Sequence, residues 1–98
     1  MLDLDFTWDP KKARENQRKH GVAFSEARSV FADEGAMLID DPDHSASEDR
    51  FIIIGFSSGA RLLTVCHCYR EGSQVIRIIS ARKATRNESS QYIQRSMP

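Results

Sequence analysis

Residues 50–82 read Arg50-Phe-Ile-Ile-Ile-Gly-Phe56, Ser57-Ser-Gly-Ala60, Arg61-Leu-Leu-Thr-Val-Cys-His-Cys-Tyr-Arg70, Glu71-Gly-Ser73 and Gln74-Val-Ile-Arg-Ile-Ile-Ser-Ala-Arg82. The runs Arg50 to Phe56, Arg61 to Tyr69 and Gln74 to Arg82 are rich in β-branched and aromatic residues and have the length of strands. Ser-Ser-Gly-Ala and Glu71-Gly72 are connections so short that they demand antiparallel hairpins, so the stretch predicts a meander. With Glu71-Gly72 as a two-residue turn, Arg61 opposes Arg82. Simple alternation then sets Arg61 and His67 on one face and Arg70 and Arg77 on the other. Two arginines directly opposite each other repel, so an anion or a carboxylate is expected between them.

Upstream, residues 2 to 8 alternate apolar with polar at period two, as a half-buried strand does. Asp9-Pro10 opens a helix, because Asp9 can cap free amides and Pro10 suits a first helical position where no donor is missed. Gly21 closes it after Lys19 and His20, which sit at the negative end of the dipole. The inward face is Ala13, Asn16, Gln17 and His20, with almost no apolar stripe. Either this helix rests thinly on the domain through Ala13, or its polar face is functional. A second helix is expected from about Ser25 to Asp33, its stripe being Phe24, Ala27, Val30 and Phe31. Residues 36 to 40 read as a short strand and Asp41 to Asp49 as a polar connection holding Pro42, His44 and Glu48. Ala84 to Arg95 form a C-terminal helix, with Glu88 and Tyr92 one turn apart. The expectation is one α+β domain over residues 1–98 in the order β-αα-β-βββ-α: an antiparallel sheet with two N-terminal helices packed on it and a short C-terminal helix.

The chain has 98 residues, 40% hydrophobic and 29% charged, which leaves room for one modest core and excludes a multidomain enzyme. No run approaches the ~18 apolar residues of a membrane span, and the first residues do not resemble an export signal, so a soluble cytoplasmic protein with no membrane partner is expected. The net charge of zero hides a segregation. Residues 1–49 carry six basic against twelve acidic side chains, and residues 50–98 carry eight basic against two acidic. Seven of those eight are arginine, whose planar fork suits phosphate or carboxylate. The second half therefore reads as an anion-binding surface, unless the two halves simply neutralise each other.

Cys66-His67-Cys68 invites a zinc reading, which strand geometry opposes. The two sulfurs point one way and the imidazole the other, and about four convergent ligands would be needed. Neither a metal nor a cofactor is expected, and the cysteines read as small buried residues. No base is marked beside either sulfur, so a cysteine nucleophile is not expected. His44, Glu48 and Arg50 set a base, an acid and a cation within one polar connection. Glycine-rich phosphate loops, His-Glu-x-x-His and paired CxxC motifs are absent.

Four ordered strings carry a resemblance over nearly the whole chain. They are Phe6-Thr7-Trp8-Asp9-Pro10 with Lys12-Ala13, Asn16 and Lys19-His20-Gly21-Val22; Asp41 with His44-Ser45, Glu48 and Arg50; Ile54-Gly55 with Gly59, Arg61-Leu62-Leu63 and His67; and Arg77-Ile78-Ile79-Ser80-Ala81-Arg82-Lys83-Ala84 with Glu88 and Tyr92. Together they resemble the BrnT family of type II toxin-antitoxin ribonuclease toxins. The resemblance implies a RelE-like fold, metal-independent RNA cleavage, arrest of translation, and neutralisation by a BrnA-like antitoxin in a hetero-oligomer. It also accounts for the polar first helix, whose Ala13, Asn16 and His20 belong to the shared pattern. Ala23 stands where relatives often show Ser, which shifts the helix cap to Ser25 at about 1 kcal/mol. Cys66 and Cys68 replace the Val and Thr that relatives tend to show.

RNA brings its own nucleophile, the 2′-hydroxyl, so a cleft needs a base, a cation for the crowded phosphate and an acid for the leaving oxygen. The expected assignment has His67 or Glu48 as base or acid and Arg61 with Arg82 as a phosphate clamp. Arg50, Arg70, Arg77, Lys83 and His44 are expected to bind RNA, with Arg70 and Arg77 guiding the strand or meeting the antitoxin. The competing expectation is a non-catalytic module that binds RNA or antitoxin through the same basic sheet.

Overall fold

The computed structural model describes residues 4–41, 50–70, 72 and 74–96. The elements are β1 (Asp5–Thr7), α1 (Pro10–His20), α2 (Phe24–Ser29) continued by a 3-10 turn (Val30–Ala32), β2 (Met37–Asp40), β3 (Phe51–Phe56), β4 (Leu62–Arg70), β5 (Val75–Lys83) and α3 (Arg86–Ser96). This is the expected α+β order. The strands form one sheet in the order β1-β5-β4-β3-β2. From β2 to β5 the pairing is antiparallel, as the short connections require, and β1 joins the far edge parallel to β5. The sheet is therefore mixed. Among the described residues no helix is long and apolar enough to cross a membrane.

The register of the β4–β5 hairpin differs from the expected one. Arg70 pairs with Val75, so the connection is four residues long instead of two, with Gly72 at a φ of 68°. That register alone would set Arg82 opposite Leu63, and one further shift sets it opposite Thr64, not Arg61. The register also slips by one residue between Cys66 and His67: Cys66 pairs with Ser80 but His67 with Ile78, leaving Ile79 as a β-bulge. The bulge is what lets Ile76, Ile78 and Ala81 all turn into the core.

One face of the sheet carries the helices of the first half. Val22, Phe24, Ala27 and Val30 bury themselves against Ile53, Leu63, Val65, Ile78 and Ala81, with Phe6, Trp8, Ala13, Phe31 and Ala36 packed around them. Asp9 caps α1 by accepting from the Lys11 amide (2.9 Å), and Gly21 ends it at a φ of 69°. Apart from Pro10 and Ala13, α1 has no apolar side chain, and a buried amide fastens it instead. Asn16 Nδ2 donates to the carbonyls of Val22 (2.9 Å) and Ala81 (2.8 Å), and its Oδ1 accepts from the Ala81 amide (3.1 Å). Since β1 stops pairing at Arg77, Asn16 stands in for a neighbouring strand along the open edge of β5. The second helix begins at Phe24 with Ala23 before it and no side-chain cap, so Ser25 does not cap it as expected. Glu26 has turned instead toward the β3–β4 connection.

The other face carries α3. Thr85 and Glu88 form a reciprocal capping box: the Glu88 amide donates to Thr85 Oγ1 (3.1 Å) and the Thr85 amide to Glu88 Oε1 (2.9 Å). Tyr92 packs edge-on against Phe56 and donates its hydroxyl to Asp33 Oδ2 (2.7 Å), while Arg95 reaches the carbonyls of Gly35 and Ala36. Asp33 also accepts from the amides of Phe56 and Gly35. Burial alone would raise its pKa, but these hydrogen bonds outweigh it and hold the carboxyl below its usual value.

Candidate nucleic-acid interface

Directly paired residues project to the same side of a sheet, so the register assigns each cation to a face. The β4 residues Leu63, Val65 and His67 point into the helix layer. Thr64, Cys66, Cys68 and Arg70 therefore point away from it, together with their β5 partners Arg82, Ser80, Arg77 and Val75. The bulge at Ile79 is decisive here. Without it, Arg77 and Arg82, an odd number of residues apart, would emerge on opposite faces. With it, Arg70, Arg77 and Arg82 share one face with Ser80, and Arg50, in phase with Ile52 of β3, lies on the same side. Arg70 is exposed and Arg77 half-buried, and no acidic side chain among the described residues pairs with either.

Arg82 is held differently. Its Nη1 and Nη2 grip Glu88 Oε1 (2.7 Å) and Oε2 (3.0 Å), Nη1 also donates to the Lys83 carbonyl, and Thr64 Oγ1 donates to Glu88 Oε1 (2.9 Å). The Arg82 hydrogen bonds dominate, and with those from Thr85 and Thr64 they bring the Glu88 carboxyl down to about 2. This fixed carboxylate orients the arginine fork at the mouth of the α3 cover, where 40% of the Arg82 side chain remains exposed.

Arg61 is not part of this group. It lies on the helix side, where Nε donates to Glu26 Oε2 (2.9 Å) and Nη2 to Glu26 Oε1 and the Gly21 carbonyl. Ser57 Oγ donates to Glu26 Oε2 (2.6 Å). One arginine thus ties together the end of α1, the start of α2 and the β3–β4 connection. The expected Arg61–Arg82 clamp is replaced by two separate arginine–carboxylate pairs, one on each face.

His67 is fully buried among Phe31, Phe51 and Tyr69, with its ring edge-on to Phe31 at 4.8 Å. The Val65 carbonyl can only accept, so the Nδ1 facing it at 3.3 Å carries the proton and Nε2 accepts from the Tyr69 hydroxyl at 3.4 Å. Burial pulls its pKa down to about 4, and the ring is neutral at pH 7. In this position it is a core histidine and reaches no substrate. It does share the Arg61 face, as alternation predicts.

Cys66 and Cys68 are free thiols on the opposite side from His67. Cys68 is buried. Cys66 Sγ lies 3.6 Å from Asp41 Oδ2, and burial, then Asp41, push the thiol up to about 11, far from a nucleophilic thiolate. Among the described residues no three His, Cys, Asp or Glu side chains converge as metal ligands would. Lys83 is exposed and pairs with Leu63, which sets it on the helix side at the end of β5. His44 and Glu48 lie outside the described residues. The residues flanking that stretch meet beside Cys66, where the Asp41 amide donates to the Arg50 carbonyl (3.1 Å).

Sequence reasoning missed Glu26 and Glu88 as the partners of Arg61 and Arg82. The Thr85-x-x-Glu88 capping signature and the Ile78-Ile79 doublet, which breaks strand alternation, were the available signals.

Residues 8–88 match the family described as ribonuclease toxin, BrnT, of type II toxin-antitoxin system. The fold is similar to that of the 1.1 Å crystal structure of the Brucella abortus ribonuclease toxin, BrnT, with a TM-score of 0.63 and 23% identity over 86% of this chain and 100% of that one. No curated protein matches the chain.

Proposed function

The chain belongs to the BrnT family of ribonuclease toxins of type II toxin-antitoxin systems, and from that premise we propose that it is a metal-independent endoribonuclease whose RNA lies across the sheet face bearing Arg50, Arg70, Arg77 and Arg82. The observation that carries this reading is the gathering of Arg70, Arg77 and Arg82 on one side of β4 and β5 by the Ile79 bulge. In the proposed reaction the 2′-oxygen attacks the adjacent phosphorus, the bond to the 5′-oxygen breaks, and the products are a 2′,3′-cyclic phosphate and a 5′-hydroxyl. Arg82, oriented by Glu88, stabilises the charge gathering on the phosphoryl oxygens, and Arg70 and Arg77 hold the flanking backbone. Glu48 and His44 are the proposed base and acid, since His67 is sealed in the core. Lys83, the last residue of β5 and on its helix side, adds a general attraction for the polyanion. A BrnA-like antitoxin silences the toxin by covering the same face in a hetero-oligomer, and free toxin arrests translation by cutting RNA.

The test is cleavage of end-labelled single-stranded RNA in excess EDTA, with the product ends identified. Cyclic phosphate ends that persist in EDTA support the proposal; cleavage abolished by EDTA and restored by magnesium contradicts it.

A second reading, binding without cleavage, is favoured by one observation: among the described residues the arginine face carries no histidine, since His67 points into the helix layer and His20 ends α1. Folded protein that binds RNA and leaves it intact, alone and with ribosomes, would establish that reading.

A further inference from the structure

Helix α1 presents Lys11, Lys12, Arg14, Arg18 and Lys19 to solvent with Glu15 as its single acid. No ion pair or side-chain hydrogen bond among the described residues engages any of the five cations. The first half of the chain is acidic in sum, so this helix is a local reversal of sign. It is also built to be held from one side. Ala13 and the buried Asn16 face the domain, and 3.6-residue periodicity turns the cations outward over about 12 Å of helix. The Ala13 contact lies on the helix-bearing side of the sheet, away from Arg70, Arg77 and Arg82.

We propose that α1 is a second RNA-binding surface, which docks on the phosphate backbone of a double-stranded stem while the sheet face engages single-stranded RNA. The inference rests on the ribonuclease reading for the kind of nucleic acid, and on α1 itself for the site. The occupant follows from the chemistry of the exposed face. It carries cations and no apolar side chain, whereas the centre of a protein interface is apolar and depleted of charge. Phosphates need cations alone. A rigid row of positive charge matches the fixed backbone rows of a duplex, and A-form RNA is recognised mainly by shape, phosphates and 2′-hydroxyls.

The test is fluorescence anisotropy of a labelled RNA hairpin stem with the full chain, titrated between about 50 and 200 mM salt. Two variants are compared with the unchanged protein: Lys11→Gln/Lys12→Gln/Arg14→Gln, and Arg14→Gln/Arg18→Gln/Lys19→Gln. The first removes cations from the positive end of the helix dipole and so does not weaken the helix, which guards against a folding artefact in the second. The expected result is stem affinity at least tenfold weaker in both, with a salt slope shallower by about 2, and unchanged cleavage of a short single strand. Unchanged stem affinity and slope, or affinity that falls only in Arg70→Ala and Arg77→Ala, overturns the inference. So does a helix whose neutralisation weakens binding of an acidic protein and not of RNA. Stem binding that depends on α1 in a protein that cuts no RNA upholds this inference while refuting the ribonuclease mechanism.

Discussion

Arg61 and Arg82 lie on opposite faces of one sheet, Arg61 held by Glu26 of α2 and Arg82 by Glu88 of α3. Both forks meet a carboxylate, yet they answer to different parts of the fold. Arg61 closes a joint between two helices and a turn. Arg82 is anchored where the sheet opens beyond α3.

Two substitutions therefore separate. Arg61→Ala strands the Glu26 carboxylate and should lower the urea midpoint, with cleavage per folded molecule close to that of the unchanged protein. Arg82→Ala should cut cleavage by ~10²-fold, the scale of losing one transition-state donor, with single-stranded RNA still held by Arg70 and Arg77. Measuring cleavage and urea midpoint on both proteins checks this; a loss of cleavage with Arg61→Ala equal to that with Arg82→Ala would restore the two-arginine clamp.

His67 gives stability a pH dependence of known sign. Its folded pKa of about 4 lies below the ordinary 6.5, so the unfolded chain binds the proton more readily. The stabilisation is complete above 6.5, is lost as pH falls toward 4, and amounts to about 3 kcal/mol. His67→Phe keeps a ring against Phe31 and removes the titration. Its urea midpoint should fall less than that of the unchanged protein between those two values, and parallel curves would contradict the assignment.

Glu88 acts lower on the pH scale. Its carboxyl is depressed to about 2 from 4.5, chiefly by Arg82, so its contribution is present above 4.5 and lost as pH falls toward 2. Glu88→Gln should already be destabilised at neutral pH and should lose less on acidification. It should also slow cleavage by releasing the Arg82 fork, whereas a variant that cuts at full rate would show that orientation of the fork is immaterial.

Asn16→Ala removes three hydrogen bonds and leaves the amide and carbonyl of Ala81 without their partner. The expected cost is about 3 kcal/mol, read from urea unfolding. A loss below about 1 kcal/mol would mean that α1 is held by other contacts.

Much of the fold was legible because its signals are local. Asp9-Pro10 and Gly21 bound α1, and the two short connections force the meander, whatever lies elsewhere in the chain. What was not legible depends on pairing. The four-residue β4–β5 connection shifted the register without changing faces, and the one bulged isoleucine moved Arg82 from the expected side of the sheet to the side of Arg70 and Arg77. His67 looked available because its stretch of sequence is rich in arginine, but in space it is enclosed by Phe31, Phe51 and Tyr69. Those rings come from three separate elements.

The central claim is that RNA is cut on the face bearing Arg70, Arg77 and Arg82, and a comparison of faces tests it most directly. Single-turnover cleavage of one labelled single-stranded RNA would be measured for Arg77→Ala and Arg82→Ala on that face, and on the helix side for Lys83→Ala and for Arg28→Ala of α2, whose guanidinium lies 5.0 Å over the Phe6 ring. The account predicts large losses in the first pair and changes within about threefold in the second, the scale of a remote surface charge. Losses concentrated in the second pair, or spread equally over both, would contradict it.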